Sequence, residues 1–486
     1  MKSFEGYIKK ISAKTISFIF IMNCLMMSGC GTKTQTGPAP DTATNVSSSE
    51  DTVSQEDAAY QEDTSSQEGG IASPENSELS NNTEEQETEN MDATGDNESA
   101  STDGPVFKMS EGITIPEISQ KDLLIPDGSA FDFVYDLGVG FNLGNTFDAY
   151  LDPGPANEMD TETCWHHTYT TEQMIKDIHS YGFDTIRIPV SWHNHVDDEI
   201  NISQKWLDRV NEVVDWAIDD GMYVIINIHH DNHQEAKGFY PDFAHRDQSV
   251  RYISRIWEQL SERFKDYDEH LIFESMNEPR LVGHTNEWWI DPENADCIDS
   301  IKCINELNQV FVDTVRGTGG NNTNRYLMCP GYDASPDGAL NRDFVLPTDP
   351  AAPDVSYNDG HILVAVHAYI PYDFALEYPG ISDFDASNAD STRDLDTFMN
   401  SLYTKLIKNN YPVVIGEFGC RDKNGNLQDR VDFSAYYVRN ARARGMACFW
   451  WDNNAFKGDG ELFGIYDRNN PDASNFDIIN ALMAYK

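Results

Sequence analysis

Short apolar runs recur along the chain between residues 137 and 453: Leu137–Asn145, Asp184–Trp192, Tyr223–His230, Leu271–Glu278, Arg325–Gly331, Ile362–Tyr369, Pro412–Gly419 and Met446–Asn453. They are near-continuous rather than alternating, which predicts strands buried on both faces. Amphipathic stretches separate them, such as Thr170–Gly182 and Gln204–Gly221. Thr170 is the expected N-cap of the first, and Gly182 and Gly221 stand where helix C-caps favour glycine. Eight such units in about 350 residues predict an α/β fold, a (β/α)8 TIM barrel with long loops. A doubly wound sheet is the rival architecture. No GxGxxG or GxxxxGK[ST] opens a helix, which weakens it.

Two of the runs end on a glutamate. LIFESMNEPR (Leu271–Arg280) carries Glu278 between Asn277 and Pro279, and VVIGEFGC (Val413–Cys420) carries Glu417. A carboxyl at the end of a buried strand is costly unless chemistry requires it. Pro279 biases Glu278 to an extended backbone and stops the ladder there. The C-terminal rim of a barrel gathers chain-distant residues. Two carboxyls meeting there are what cleavage of a glycosidic bond requires, one as proton donor and one as nucleophile or base.

Charge and composition divide the chain sharply. Residues 1–30 read as a targeting segment, with lysines followed by the apolar stretch Ile16–Met27, and end on Met27-Ser28-Gly29-Cys30. That ending resembles the bacterial lipoprotein box, with Cys30 as the lipid-modified residue and the membrane as partner; plain secretion is the alternative. Residues 31–105 are rich in Ser, Thr and acids, with 18 acids against Lys33 alone. Such a stretch cannot bury enough apolar surface to order itself and is expected to be a disordered tether. The net charge of −48 argues against nucleic acid as a partner and suits a neutral substrate. Six cysteines remain after Cys24 and Cys30, none in a zinc-like spacing. Cys297 and Cys303 are close enough to bridge, and buried thiols are equally compatible.

Seven segments together resemble glycoside hydrolase family five, the cellulase family A, and more narrowly its fourth subfamily of bacterial endoglucanases. They are GFNLGNTFDA (Gly140–Ala149), RIPVSWHNHV (Arg187–Val196), NIHHD (Asn227–Asp231), MNEPR (Met276–Arg280), VHAYIPYDFA (Val366–Ala375), IGEFG (Ile415–Gly419) and WWDN (Trp450–Asn453). The resemblance covers roughly residues 130–486 of a catalytic part spanning 106–486. It implies Glu278 as proton donor, Glu417 as nucleophile, and Asn277 as partner of the sugar 2-hydroxyl. It implies supporting roles for Arg187, His229, His367 and Tyr369, and Trp451 as the aromatic floor, with Trp450 as the alternative one residue away. Arg187 is expected to point at Glu417 and keep it ionised, and the Tyr369 phenol to donate to it.

The implied activity is a retaining endo-β-1,4-glucanase acting as a monomer on cellulose-like and mixed-linkage β-glucans, without a cofactor. A xyloglucanase or lichenase is the nearest rival, a mannanase a further one, and a non-catalytic glycan-binding lipoprotein the rival of another class. His229, His230, Asp231 and His233 raise a metallohydrolase reading. Consecutive strand residues face opposite ways, so His229 and His230 are not expected to enter the barrel together. His193 and His195 are expected on rim loops. Trp288 and Trp289 are read either as sugar-stacking aromatics or as core.

Overall fold

A computed structural model of the protein describes residues 105–458 and 460–486. The targeting segment, Cys30 and residues 31–104 of the acidic stretch lie outside the described residues. Eight strands form, β1 Val139–Leu143, β2 Thr185–Ile188, β3 Tyr223–Asn227, β4 Leu271–Glu274, β5 Leu327–Pro330, β6 Ile362–His367, β7 Val413–Phe418 and β8 Ala447–Asp452. Each pairs in parallel with the next, and β8 pairs with β1 to close the barrel. Closure removes the doubly wound alternative.

Residues alternate along each strand between barrel interior and helix layer. Outward-facing Phe141, Ile186, Val224, Phe273, Val364, Ile415 and Trp450 belong to the large core beneath the helices. Inside, Ile225, Ile272, Met328, Leu363, Val414 and Phe449 form an apolar lower layer. Helix Ser129–Asp136, which no predicted run covered, plugs that end with Ala130, Phe133 and Val134. Gly140 is required here, because a Cβ on it would lie 2.2 Å from the Phe449 ring. Apolar packing therefore fills the N-terminal half of the interior and leaves polar side chains for the C-terminal rim.

The strands are shorter than the predicted runs, chiefly at their C-terminal ends. Past β2 and β3, the Val190 amide bonds to the Asn227 side chain and Asn277 N to Ile228 O, so rim contacts replace ladder bonds. Glu278, expected at the end of the fourth strand, sits in the loop beyond β4. Helix Glu172–Ser180 is capped by Thr171, whose side chain accepts from Met174 N, and not by Thr170. Thr170 N is instead taken by the buried carboxylate of Glu162. Gly182 and Gly221 follow their helices at φ 101° and 91°, as expected of glycine at that position. Cys297 and Cys303 are buried free thiols on one helix, Ala295–Gly317. Among the described residues no helix is long and apolar enough to cross a membrane.

Candidate active site

Arg187 is the hub of the rim. It projects inward from β2, fully buried. Its Nε donates to Glu274 Oε2 at 2.8 Å and its Nη1 to Asn142 Oδ1 at 2.8 Å and Glu417 Oε1 at 2.7 Å. Its Nη2 donates to Asn277 Oδ1 at 2.7 Å. That last bond fixes the Asn277 amide with its NH2 turned toward the cleft, a donor for a sugar hydroxyl. Burial opposes the Arg187 charge, but the Glu274 and Glu417 carboxylates outweigh it and push its pKa up, so it stays a cation.

Glu417 leaves β7 where the pairing register shifts between Ile415 and Phe418 on one side and at Val366/His367 on the other. Such an irregularity re-aims a side chain, here into the barrel mouth. Glu417 Oε2 accepts from the Tyr369 hydroxyl at 2.9 Å, as the sequence suggested. His367 faces both glutamates, with Nδ1 2.9 Å from Glu278 Oε1 and 3.7 Å from Glu417 Oε1. Glu278, Glu417 and His367 bring one polar atom each to within 4.8 Å of one another.

Burial would lower His367, yet the charge of Glu417, the Glu274 carboxylate 3.8 Å away and the bond to Glu278 raise its pKa to about 10. Burial raises Glu278, but the His367 bond and charge and the charge of Arg280 bring it below its ordinary range. Glu417 is lifted by burial and by the Glu278 charge, against the lowering effect of His367 and Arg187. One proton is therefore held in the short contact between His367 Nδ1 and Glu278 Oε1. On His367 it leaves Glu278 a carboxylate; transferred, it makes Glu278 a carboxylic acid.

Trp451 lines the interior and Trp450 does not. Register places Trp451 beside the inward Asn142, while Trp450 is fully buried under the helices with Nε1 on Phe463 O. Gly144 makes room, since a Cβ there would lie 2.8 Å from the Trp451 ring. His229 is parallel to Trp451, with ring centroids 5.7 Å apart.

The expectation that His229 and His230 do not enter the barrel together rested on strand alternation, and that argument does not apply to them. β3 ends at Asn227, so strand alternation no longer governs them, and their rings lie 4.4 Å apart. With Asp148 they bring ligand-type atoms to within 4.8 Å. The tautomer of His229 nonetheless opposes metal ligation. Asn227 accepts from Val190 N and donates to Glu274, so its NH2 faces His229 Nδ1 at 3.2 Å. Nδ1 must accept, which leaves His229 Nε2–H as a hydrogen-bond donor to the cleft.

Glu274 was not singled out from the sequence, because it reads as part of the apolar LIFE run. His195 is a packing residue stacked on Trp206 at 3.7 Å, and His193 bonds Asp231 at 2.7 Å. Trp288 and Trp289 are half-exposed, and Arg280 lies 4.0 Å over the Trp288 ring.

The family model described as cellulase (glycosyl hydrolase family 5) matches residues 148–457. The cellulase/esterase CelE of Acetivibrio thermocellus is 40% identical over 364 residues, 74% of this chain and 40% of that longer protein. The structure of a GH5 family lichenase from Caldicellulosiruptor sp. F32 is 51% identical, with TM-score 0.73, covering 77% of this chain and 99% of that one. A GH5-4 broad specificity endoglucanase from Ruminococcus champanellensis with bound cellotriose is 40% identical, with TM-score 0.67, over 74% and 100% of the two chains. The closed barrel, the paired glutamates on its rim and these matches make one conclusion: the chain is a glycoside hydrolase of the cellulase type, belongs to glycosyl hydrolase family 5 and resembles its fourth subfamily.

Proposed function

We propose that the protein is a retaining endo-β-1,4-glucanase acting on cellulose-like and mixed-linkage β-glucans. One observation carries the reading: oxygens of Glu278 and Glu417 lie within 4.8 Å. Retaining glycosidases hold their carboxyls about 5–5.5 Å apart, whereas inverting ones leave room for a water at about 6.5–9.5 Å.

In this mechanism a Glu417 oxygen attacks the anomeric carbon as the bond to the leaving oxygen breaks. Glu278 gives that oxygen the proton it shares with His367. Glu417 thereby becomes a neutral ester, and Arg187 stays neutralised by Glu274. Glu278, now a carboxylate, takes a proton from water; the water oxygen displaces Glu417 and restores its charge. Asn277 and His229 offer N–H donors to the sugar hydroxyls, and Trp451 provides the apolar floor.

The lichenase name of one 51% identical neighbour supports mixed-linkage glucan as a substrate. A reducing-sugar assay over carboxymethylcellulose, barley glucan, xyloglucan and mannan tests the reading. Release from the first two is expected; activity confined to mannan overturns it. The reading extends to anchoring through Cys30 at the extracellular face of a bacterial envelope. There Cys30→Ala is expected to release active soluble enzyme, and a variant that stays membrane-bound refutes the anchor.

A further inference from the structure

The two oxygens of Glu278 have different neighbours. Oε1 meets His367 Nδ1 at 2.9 Å, and Oε2 faces Arg280 Nη1 at 3.5 Å. The second distance exceeds the roughly 2.7–2.9 Å of a charge-assisted hydrogen bond, so Arg280 acts on Oε2 through its charge. Arg280 is engaged elsewhere. Its Nη1 donates to Glu278 O at 3.0 Å and its Nε to Glu287 Oε1 at 3.4 Å, and the Trp288 ring lies against the guanidinium at 4.0 Å. Glu287 is fixed in turn by Gly283 N, which donates to its Oε2 at 2.9 Å. Asn232 Nδ2 donates to Arg280 O at 2.9 Å and Asp333 N to Pro279 O at 2.8 Å, which pins the backbone behind Glu278. The side chains of Glu278, Arg280, Glu287 and Asp333 are 13–18% exposed, so salt and solvent screen their charges weakly.

Three carboxyls surround this one guanidinium. Asp333 Oδ1, 3.9 Å from Arg280 Nε, is buried without a hydrogen-bond partner. Burial and the Glu278 charge push the Asp333 pKa well up, so Asp333 stands as the neutral acid and Glu287 as the anion that offsets Arg280. The other titratable groups facing Glu278 are His367, Glu417, Tyr369, His230 and Glu461. Burial holds His230 neutral, with a pKa of about 4, and keeps the proton on Tyr369. Glu417 is a carboxylate before its attack and a neutral ester afterwards, whereas Arg280 keeps its charge throughout.

Resting on the double-displacement reading, we propose that Arg280 is a positioning residue for the second step: its charge holds the shared proton on His367, so that Glu278 stands as the carboxylate that activates water. In the glycosyl-enzyme, Glu278 takes one proton from water. The water oxygen forms its bond to the anomeric carbon, and the electron pair of the ester bond returns to Glu417. A cation beside Glu278 favours this step, which needs the carboxylate. The same cation works against the first step, in which Glu278 gives a proton to the leaving oxygen. Glu287 tempers the effect by neutralising part of the Arg280 charge. The balance of Glu278 between acid and base is therefore set by Arg280 against Glu287.

The two steps separate with 2,4-dinitrophenyl 2-deoxy-2-fluoro-β-cellobioside, whose leaving group departs without a proton. Loss of activity reports adduct formation, and its return after removal of excess reagent reports the second step. In the full-length wild type, mass spectrometry should show one fluorocellobiosyl group on Glu417, and reactivation should quicken with pH as Glu278 ionises. In Arg280→Gln the adduct should form within about twofold of the wild-type rate. Its reactivation limb should move up by about one pH unit, a slowing of about tenfold below the limb that vanishes above it. Arg280→Lys should keep most of the wild-type limb. Glu287→Gln leaves Arg280 unopposed and should move the limb to lower pH, which keeps the proposal testable if Arg280→Gln folds poorly. Reactivation slowed equally at every pH would indicate a merely structural role and overturns the proposal. So does adduct formation slowed as much as reactivation, or a Glu287→Gln limb that moves upward. Wild type that forms no adduct refutes double displacement itself, and the assignment of Arg280 to its second step falls with it.

Discussion

Glu274→Gln is the most informative single substitution, because it removes one charge from the catalytic network without changing its shape. Glu274 is fully buried; Oε2 accepts from Arg187 and Asn227, and Oε1 lies 3.8 Å from His367 Nε2. Two unit charges at that separation interact by about 4 kcal/mol at an effective dielectric of 20, equivalent to about 3 pKa units. Relaxation and entering water make one to three units the expected range. The Glu274 charge favours the protonated form of the His367–Glu278 pair. Losing it makes that proton easier to remove, so the alkaline limb of kcat/KM moves to lower pH by roughly one to three units. Arg187 then has one carboxylate fewer to neutralise, so Glu417 is more easily ionised and the acid limb moves down too. The folded state should lose only about 1–2 kcal/mol, as charge-assisted bonds become neutral ones. Glu274→Ala, which strands a buried cation, should cost about 3–5 kcal/mol. The assay is a pH–rate profile on an aryl β-cellobioside, with thermal unfolding measured alongside. An alkaline limb that stays in place, or moves upward, refutes the reasoning.

Tyr369→Phe removes the 2.9 Å donor to Glu417. Initial rates across pH should show kcat/KM down about five- to one-hundredfold and the acid limb moved upward, because the lost bond favoured the ionised form. Glu417→Ala should be inactive and rescued by azide as an α-glycosyl azide. Glu278→Ala should keep activity on substrates with good leaving groups; α-azide formation by the Glu278 variant alone would reverse the two roles. His367, raised from an ordinary 6.5 to about 10, contributes stability complete below its unfolded value and lost as pH rises through 10. Urea unfolding of His367→Gln should lack that alkaline loss, and an unchanged pH dependence would remove His367 as its source.

The barrel was legible because each strand is buried on both faces and therefore reads as an apolar run. The strand ends were not, since rim backbone groups are satisfied by side chains such as Asn227, a pairing that no local pattern encodes. Glu278, Glu417, Arg187 and Tyr369 come together as their motifs implied. Glu274 escaped notice because its significance lies in facing Arg187 across the barrel, although its inward position on the strand was a signal available in principle. His230 was misplaced by extending strand alternation past Asn227. The choice between Trp450 and Trp451 followed once register put Trp451 beside Asn142. The plug helix Ser129–Asp136 was missed for want of a flanking strand, though AFDFVY is apolar enough to have marked it.

The central claim, that Glu278 and Glu417 act as proton donor and nucleophile in a double displacement, is tested most directly by the anomeric configuration of the newly released sugar. Proton NMR of wild-type enzyme with cellohexaose, recorded before mutarotation, should show the β-anomer accumulating first and the α-anomer following by equilibration. An α-anomer formed first would contradict the account, since it requires a single displacement by water and leaves Glu417 no covalent role.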